Sequence, residues 1–334
     1  MSERPSVLFA LDPEHLPLLF PPDLMARLTA TADLDPTLVA DLDDPASRRL
    51  LASTEVLVTG WGCPPLTPET LAAAPRLRAV LHTGGSVKYL LPNEGWERGL
   101  LVSSAAAANA LPVAEYALGM ILLAGKGVLT LADRYRAERR FTLGEVHRDV
   151  GNVGRRVGLI GASRIGRRLI ELLRHHDLDV VLHDPYVDEA DAARLGARLV
   201  GVAELFRESH IVSVHAPAVP ETHHLVDRAA LASMRDGAVL LNTARGSLVD
   251  HEALTEELVS GRLSAILDVT EPEPLPADSP LWGLPNVLLT PHIAGSHGNE
   301  LSRLGRTAVE ELERLAAGHP LRHRVHRAEL HRAA

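Results

Sequence analysis

Residues 156–166 read RVGLIGASRIG: a short apolar run, Arg156–Ile160, breaks into Gly161-Ala162-Ser163-Arg164-Ile165-Gly166 and opens the helix-patterned segment Ile165–His175. A strand, a glycine turn and a helix in that order form the dinucleotide fingerprint, here with Ser163 where the second glycine usually stands. Gly161 permits the tight turn and Gly166 lets helix and strand pack closely. The helix N-terminus, built from Ser163, Arg164 and Ile165, then faces a pyrophosphate. Ser163 brings a Cβ that crowds the approach to that group, and a hydroxyl that can donate to it. A lone glycine fingerprint is weak, but a second strand ends about 20 residues later in His183-Asp184-Pro185, where a ribose-binding acid belongs. Asp184, with Pro185 beside it, would accept from the ribose hydroxyls and repel a 2′-phosphate, which selects NAD over NADP.

Four further strand-like runs follow: Ile211–His215, Ala238–Asn242, Ala265–Asp268 and Val287–Thr290, with a helix-patterned segment at Glu252–Ser260. With Arg156–Ile160 and Val180–His183 they predict a doubly wound parallel sheet. Glu271–Pro280 is proline-rich and therefore a loop. Upstream of a Gly/Asn hinge at Gly151–Gly154 the pattern is similar but looser. Ser6–Leu11, Glu55–Thr59, Leu77–His82 and Leu100–Ser103 read as strands, and Asp23–Ala30 and Thr67–Ala74 as helices, the latter with a Thr N-cap followed by proline. This predicts a second, smaller parallel α/β layer, followed by a long helix at Val113–Gly125.

A chain of 334 residues has room for two such domains. A net charge of −9 argues against nucleic acid or an anionic membrane as partner, since both need a basic face. Cys63 is the only cysteine, so no internal disulfide forms, and a reducing compartment suits the chain. The first residues show no secretory leader. The most apolar stretch, Tyr116–Leu131, is interrupted by glycines and Lys126 and is shorter than the ~20 residues of a membrane crossing. These features predict a cytoplasmic protein.

Three segments at later strand ends concentrate polar chemistry: Asn242-Thr243-Ala244-Arg245-Gly246 with Val249-Asp250, then Asp268-Val269-Thr270-Glu271-Pro272-Glu273-Pro274, then Thr290-Pro291-His292-Ile293. With His215-Ala216-Pro217, Glu221-Thr222, Asn109 ahead of Val113-Ala114-Glu115, and Leu281-Trp282 ahead of Asn286-Val287, the chain resembles the D-2-hydroxyacid dehydrogenase family over nearly its whole length. Several motifs in the correct order make that resemblance far more specific than any one of them.

The resemblance implies a Rossmann sheet inserted into a smaller flavodoxin-like α/β domain. Residues 109–293 would bind NAD, and 1–108 with 294–334 would form the substrate-binding lid, with the active site in the cleft between. It assigns Arg245 to the substrate carboxylate and carbonyl, His292 to acid/base work, and Glu273 rather than Glu271 to holding the imidazole. Reducing a keto acid needs those groups: a forked cation, a proton donor and an orienting carboxylate. Cofactor contacts would include His215, Ala216, Pro217, Thr222, Thr243, Ala244, Asp268 and Gly295. Substrate contacts would come from Asn109 and from the turn Gly84-Gly85-Ser86, whose backbone N–H groups can hold a carboxylate. Lys88, two residues on and one of only two lysines in the chain, would favour a substrate with a second anionic group. Relatives are usually homodimers through the NAD-binding domain, and Val113–Gly125 would belong to that surface.

Two other functions fit the same fold: an NAD-sensing corepressor-like binding protein, and a formate- or phosphite-type dehydrogenase. Against the first, the sequence shows no long disordered, partner-binding extension, and against the second, formate-type relatives carry Gln where Glu273 stands. No metal site is expected. His319, His323, His326 and His331 read as a solvated basic tail, and His175-His176 and His223-His224 as surface pairs. Cys63, beside two prolines and without a base, is not expected to be a nucleophile.

Overall fold

The computed structural model describes residues 4–141 and 150–330, so His331 lies outside the described residues. The chain forms two compact units, one from residues up to 109 together with 296 onward, the other from 110–295.

The first unit runs β1 Ser6–Ala10, α1 Leu16–Leu19, α2 Pro22–Thr31, β2 Asp33–Leu38, α3 Pro45–Leu51, β3 Val56–Thr59, α4 Pro68–Ala73, β4 Ala79–His82, α5 Asn93–Glu97, β5 Leu101–Ser104 and the start of α6, Ala106–Gly125. Its five parallel strands lie in the order β2-β1-β3-β4-β5, the flavodoxin-like order. Strands β3 and β4 are buried along their whole length, which is why they read as unbroken apolar runs rather than alternating ones. Strand β2 was not foreseen, because Asp33, Asp35 and Pro36 argue against a strand. Its edge position explains the tolerance, since an edge residue need not donate to a neighbour.

The second unit continues with α6, then α7 Val128–Glu138, β6 Arg155–Ile160, α8 Arg164–Leu173, β7 Leu178–His183, α9 Glu189–Leu195, β8 Arg198–Leu199 and α10 Val202–Glu208. It closes with β9 Ile211–Val214, α11 Arg228–Ser233, β10 Val239–Asn242, α12 His251–Val259, β11 Ser264–Leu267 and β12 Val287–Leu289. Seven parallel strands in the order β12-β11-β10-β9-β6-β7-β8 reverse direction of growth between β6 and β9. This is the expected doubly wound Rossmann sheet, extended by β12 and by the two-residue β8, which is too short to leave a periodic signal. The Gly151–Gly154 segment lies within this unit and is tied down, with Gly151 N donating to Gly125 O (2.7 Å) and Gly154 N to Asp177 O (2.8 Å).

After the second unit the chain returns to the first as α13, Leu301–Ala316. Leu304, Val309 and Leu312 join Val7, Phe9, Val58 and Leu81 in one core. Gly305 sits so close to α1 that a Cβ there would lie 1.8 Å from the Leu19 carbonyl oxygen. Arg27 binds Glu313 through two hydrogen bonds of 2.9 and 2.8 Å, joining α2 to α13.

Two expectations need correcting. The tail is not simply solvated: Leu321 is buried, Val325 N donates to Val102 O (2.8 Å), and Ser103 and Arg324 form an antiparallel bridge beside β5. The buried Glu311 carboxylate accepts from Arg322 N (3.0 Å) and His323 N (2.7 Å), which fixes this return. Helix α6 starts at Ala106 and takes Pro112 into its body, so at 20 residues it does reach the length and apolarity of a membrane span. Its Ala114, Ala117 and Ile121 nevertheless pack with Leu159, Leu169 and Ile170 in the Rossmann core, as a core helix does.

Candidate active site

The fingerprint turn follows β6 at the point where strand order reverses, where doubly wound sheets bind ligands. Gly161 has φ +99°, and a Cβ on it would lie 2.6 Å from Ala216 N. A Cβ on Gly166 would lie 2.1 Å from Gly161 O, so both positions demand glycine. Ser163 has φ −62° and ψ 178°, which any residue adopts, and its Oγ caps α8 by accepting from Gly166 N (3.3 Å). Ser163 thus caps its own helix, and its hydroxyl keeps its proton to donate. Asp184 Oδ2 accepts from Ala162 N (2.7 Å) and Oδ1 from Tyr186 N (2.8 Å), which ties the acid of β7 to the glycine turn. Arg164 and Pro185 are exposed, and Ile165 is half-buried.

Across the switch point, the buried His215 pairs its Nε2 with Ser213 Oγ at 2.7 Å, while its Nδ1 has no partner. Burial pushes the His215 pKa down to about 4, so the ring is neutral. Thr243 Oγ1, at the end of β10, is also buried without a partner. Two orphaned polar atoms, that of His215 beside the glycine turn and that of Thr243 at the end of β10, fit a polar ligand such as a dinucleotide. Thr222 uses its hydroxyl within its own loop, on Pro217 O (2.6 Å) and Val219 O (3.0 Å).

Arg245 follows β10 in a turn held by Asn242, whose Oδ1 accepts from Ala244 N (3.0 Å) and whose Nδ2 donates to Arg245 O (2.8 Å). The guanidinium is exposed and donates to Ala244 O (2.6 Å). Gly246 packs against the next segment, where a Cβ would meet Thr270 O at 2.1 Å.

Asp268, 2% exposed at the end of β11, organises the histidine loop. Its Oδ1 accepts from Thr290 Oγ1 (2.6 Å) and Ile293 N (2.8 Å), and its Oδ2 from Ala294 N (2.9 Å). Since the Thr290 proton goes to Asp268, the Tyr116 hydroxyl 2.7 Å away must donate to Thr290. Burial raises the Tyr116 pKa, which keeps that donor in place. Between these anchors His292 takes φ +54° and sets Nδ1 2.8 Å from Glu273 Oε1, both side chains remaining part-exposed. Thr290 and Tyr116 were missed as site residues, although Thr290 stood in a motif already quoted.

In the first unit the turn after β4 contains buried Gly84 and half-buried Gly85 and Ser86. A Cβ on Gly84 would lie 2.4 Å from Nε2 of His82, whose Nδ1 meets Thr59 Oγ1 at 2.9 Å. Burial lowers the His82 pKa to about 4. His82 was also missed. Lys88 is half-buried, and its N donates to Ser86 Oγ (3.4 Å). Asn109 uses its side-chain oxygen on Ser296 N (2.8 Å), which joins the start of α6 to the returning chain.

The family described as "D-isomer specific 2-hydroxyacid dehydrogenase, NAD binding domain" matches residues 118–294. The chain is 33% identical over 312 residues to the D-3-phosphoglycerate dehydrogenase of Mycobacterium tuberculosis, covering 91% of this chain and 57% of that protein. It is 31% identical over 271 residues to the hydroxypyruvate reductase of Thermotoga maritima, covering 79% of this chain and 85% of that one. Among solved structures, apo D-mandelate dehydrogenase of Rhodotorula graminis aligns with a TM-score of 0.81 at 26% identity, covering 96% of this chain and 97% of that one. The chain belongs to the D-isomer specific 2-hydroxyacid dehydrogenase family, and NAD is the cofactor of the domain it carries. It spans 57% of the length of the mycobacterial relative.

Proposed function

We propose that this protein is an NAD(H)-dependent oxidoreductase that interconverts a 2-keto acid and a D-2-hydroxy acid. The observation that carries the reading is the 2.8 Å contact between His292 Nδ1 and Glu273 Oε1. An ionised carboxylate only accepts, so the pair puts a proton on Nδ1 and assigns proton exchange with substrate oxygen to Nε2. In reduction His292 then gives a proton to the developing alkoxide, and in oxidation it takes one back. Arg245 binds the substrate carboxylate and polarises the carbonyl with its fork of donors. Bound NADH supplies the hydride. Asp184 and the Gly161–Gly166 turn hold the adenosine ribose and pyrophosphate, aided by the orphaned His215 and Thr243 atoms.

Lys88 gives this reading its finer form, a substrate with a second anion, and the relative named D-3-phosphoglycerate dehydrogenase is in keeping with that. The deciding experiment is an NADH-oxidation screen over glyoxylate, hydroxypyruvate, pyruvate, aromatic 2-keto acids and phosphorylated analogues, run in parallel with NADPH. Turnover of a 2-keto acid with NADH preferred is expected, and no turnover of any of them would overturn the proposal. If Lys88 reads the second anion, Lys88→Ala lowers kcat/KM for the phosphorylated substrate and spares the unphosphorylated one.

A homodimer through the NAD-binding unit belongs to the same proposal. Leu123, Val128, Tyr135 and Phe141 are exposed apolar residues along α6, α7 and the residues just after, a surface that a second copy would cover. Light scattering should give twice the chain mass, reduced to one by Leu123→Glu with Tyr135→Glu.

A further inference from the structure

Three groups that the proposed reaction does not use converge on one patch of the second unit. The ligand atoms of His223, His224 and Glu271 all lie within 4.8 Å of one another, and all three residues are exposed. We propose that these residues bind a divalent transition-metal ion of the zinc, nickel and copper class. Sequence alone made His223-His224 a surface pair, because nothing in it brings Glu271 near.

The backbone explains how the three meet. Consecutive side chains of an extended chain point to opposite sides. His224 escapes that rule with φ +51°, and the two imidazoles stack with centroids 4.0 Å apart and planes 24° from parallel. His224 N donates to Ser247 O (2.9 Å), which fastens this loop to the residue after Gly246. On its other side Gly246 packs against the proline-rich loop, where a Cβ would meet Thr270 O at 2.1 Å and Glu271 N at 2.6 Å. The Gly246-Ser247 pair is therefore a shared rail for both loops, and the ligands come from segments already locked together.

The donor set suits the ion. Imidazole nitrogen and carboxylate oxygen bind zinc at about 2.0–2.2 Å, which in a tetrahedron separates ligand atoms by about 3.3 Å. Closing from 4.8 Å needs only side-chain rotation, which exposed residues retain. A metal takes one lone pair from each imidazole, and the Glu271 carboxylate offsets its charge. A third imidazole lies nearby. His251 is part-buried and lies in electrostatic reach of both Glu271 and His224. An ion here would pin the loop that carries Glu273, two residues beyond Glu271.

The test is calorimetric titration of the metal-free full chain with Zn2+ at pH 7.5. One ion per chain is expected, weakened about 10-fold or more in each of His223→Gln, His224→Asn and Glu271→Gln. Asn tolerates the left-handed backbone at 224, and circular dichroism checks that each variant is folded. Binding should weaken at pH 5.5, where imidazole ligands protonate. A variant of the tail, His319→Gln with His323→Gln and His326→Gln, should leave this binding unchanged. Absence of stoichiometric binding, binding unmoved by the three site variants, or binding lost in the tail variant would each overturn the proposal.

Discussion

Glu273 Oε1 stands 2.8 Å from Nδ1 of His292, and it reaches an imidazole whose backbone is held at φ +54°. A non-glycine residue in that region is strained by roughly 1–3 kcal/mol and persists only where its neighbours over-determine it. The neighbours here are Asp268 and Thr290. Asp268 O accepts from His292 N (3.0 Å), and its carboxylate holds Ile293 and Ala294 on the far side. The orientation of His292 is thus set from both its side chain and its main chain.

Removing the imidazole tests the side-chain half of that arrangement. His292→Ala should lower kcat by roughly 100-fold or more, the scale of a lost general acid. Glu273→Gln keeps an acceptor but loses the charge, so it should lower kcat less. NADH binding followed by fluorescence should be unchanged in both. Near-wild-type turnover by His292→Ala would remove the residue from the mechanism.

The main-chain half depends on Asp268. Asp268→Asn leaves buried N–H and O–H donors without a full set of acceptors and should destabilise the fold by about 1–3 kcal/mol. Thr290→Val breaks the Tyr116–Thr290–Asp268 chain and should do so more mildly, with kcat falling faster than KM rises. Urea midpoints and steady-state kinetics check both, and a Thr290→Val enzyme indistinguishable from wild type would show that the chain does not position His292.

At the cofactor turn, substitution should separate two roles. Ser163→Ala loses the cap of α8 and should cost about 1 kcal/mol, while Ser163→Gly should cost only a few tenths. Gly166→Ala places a methyl against Gly161 O and should abolish NADH binding or prevent folding. Thermal denaturation and NADH fluorescence give the comparison. A stable, NADH-binding Gly166→Ala protein would contradict the close approach.

Stability should fall in mild acid for a specific reason. Burial pushes His82 and His215 from 6.5 to about 4, so between those values the unfolded chain binds protons that the folded chain refuses. Unfolding then becomes easier as pH falls, by up to about 1.4 kcal/mol per pH unit for each residue and on the order of 3 kcal/mol each by pH 4. This stability is fully present above pH 6.5. His82→Gln should flatten the dependence of the urea midpoint on pH between 7.5 and 5, and an unchanged slope would show that His82 does not contribute.

Much of the second unit was legible because its strands are short, apolar and separated by glycine or proline. Arg156–Ile160, Val180–His183 and Ile211–His215 all appear as strands within two residues of expectation. What failed lay at edges or depended on distant chain. Strand β2 carries Pro36, α6 absorbs Pro112, and the tail docks through Glu311 and through Val102 and Ser103 of β5, far away in sequence. In the candidate site, Arg245, Glu273 and His292 stood out in motifs because each is a residue type that keto-acid reduction would use. His82, Tyr116 and Thr290 were not, since their significance lies in contacts made across 23 or 174 positions of sequence.

The interruption of the first unit by the second also sets an order of events during synthesis. Its five strands are complete by Ser104, yet the helix that shares their core, with Leu304, Val309 and Leu312, begins at Leu301. A ribosome adding ~5–20 residues per second needs about 10–40 s to cover that interval of roughly 200 residues. Throughout it the Rossmann unit can fold to completion, while Phe9, Val58 and Leu81 lack their partner and remain exposed to chaperones or to other nascent chains. Of the two units, the one begun first is therefore the last to mature.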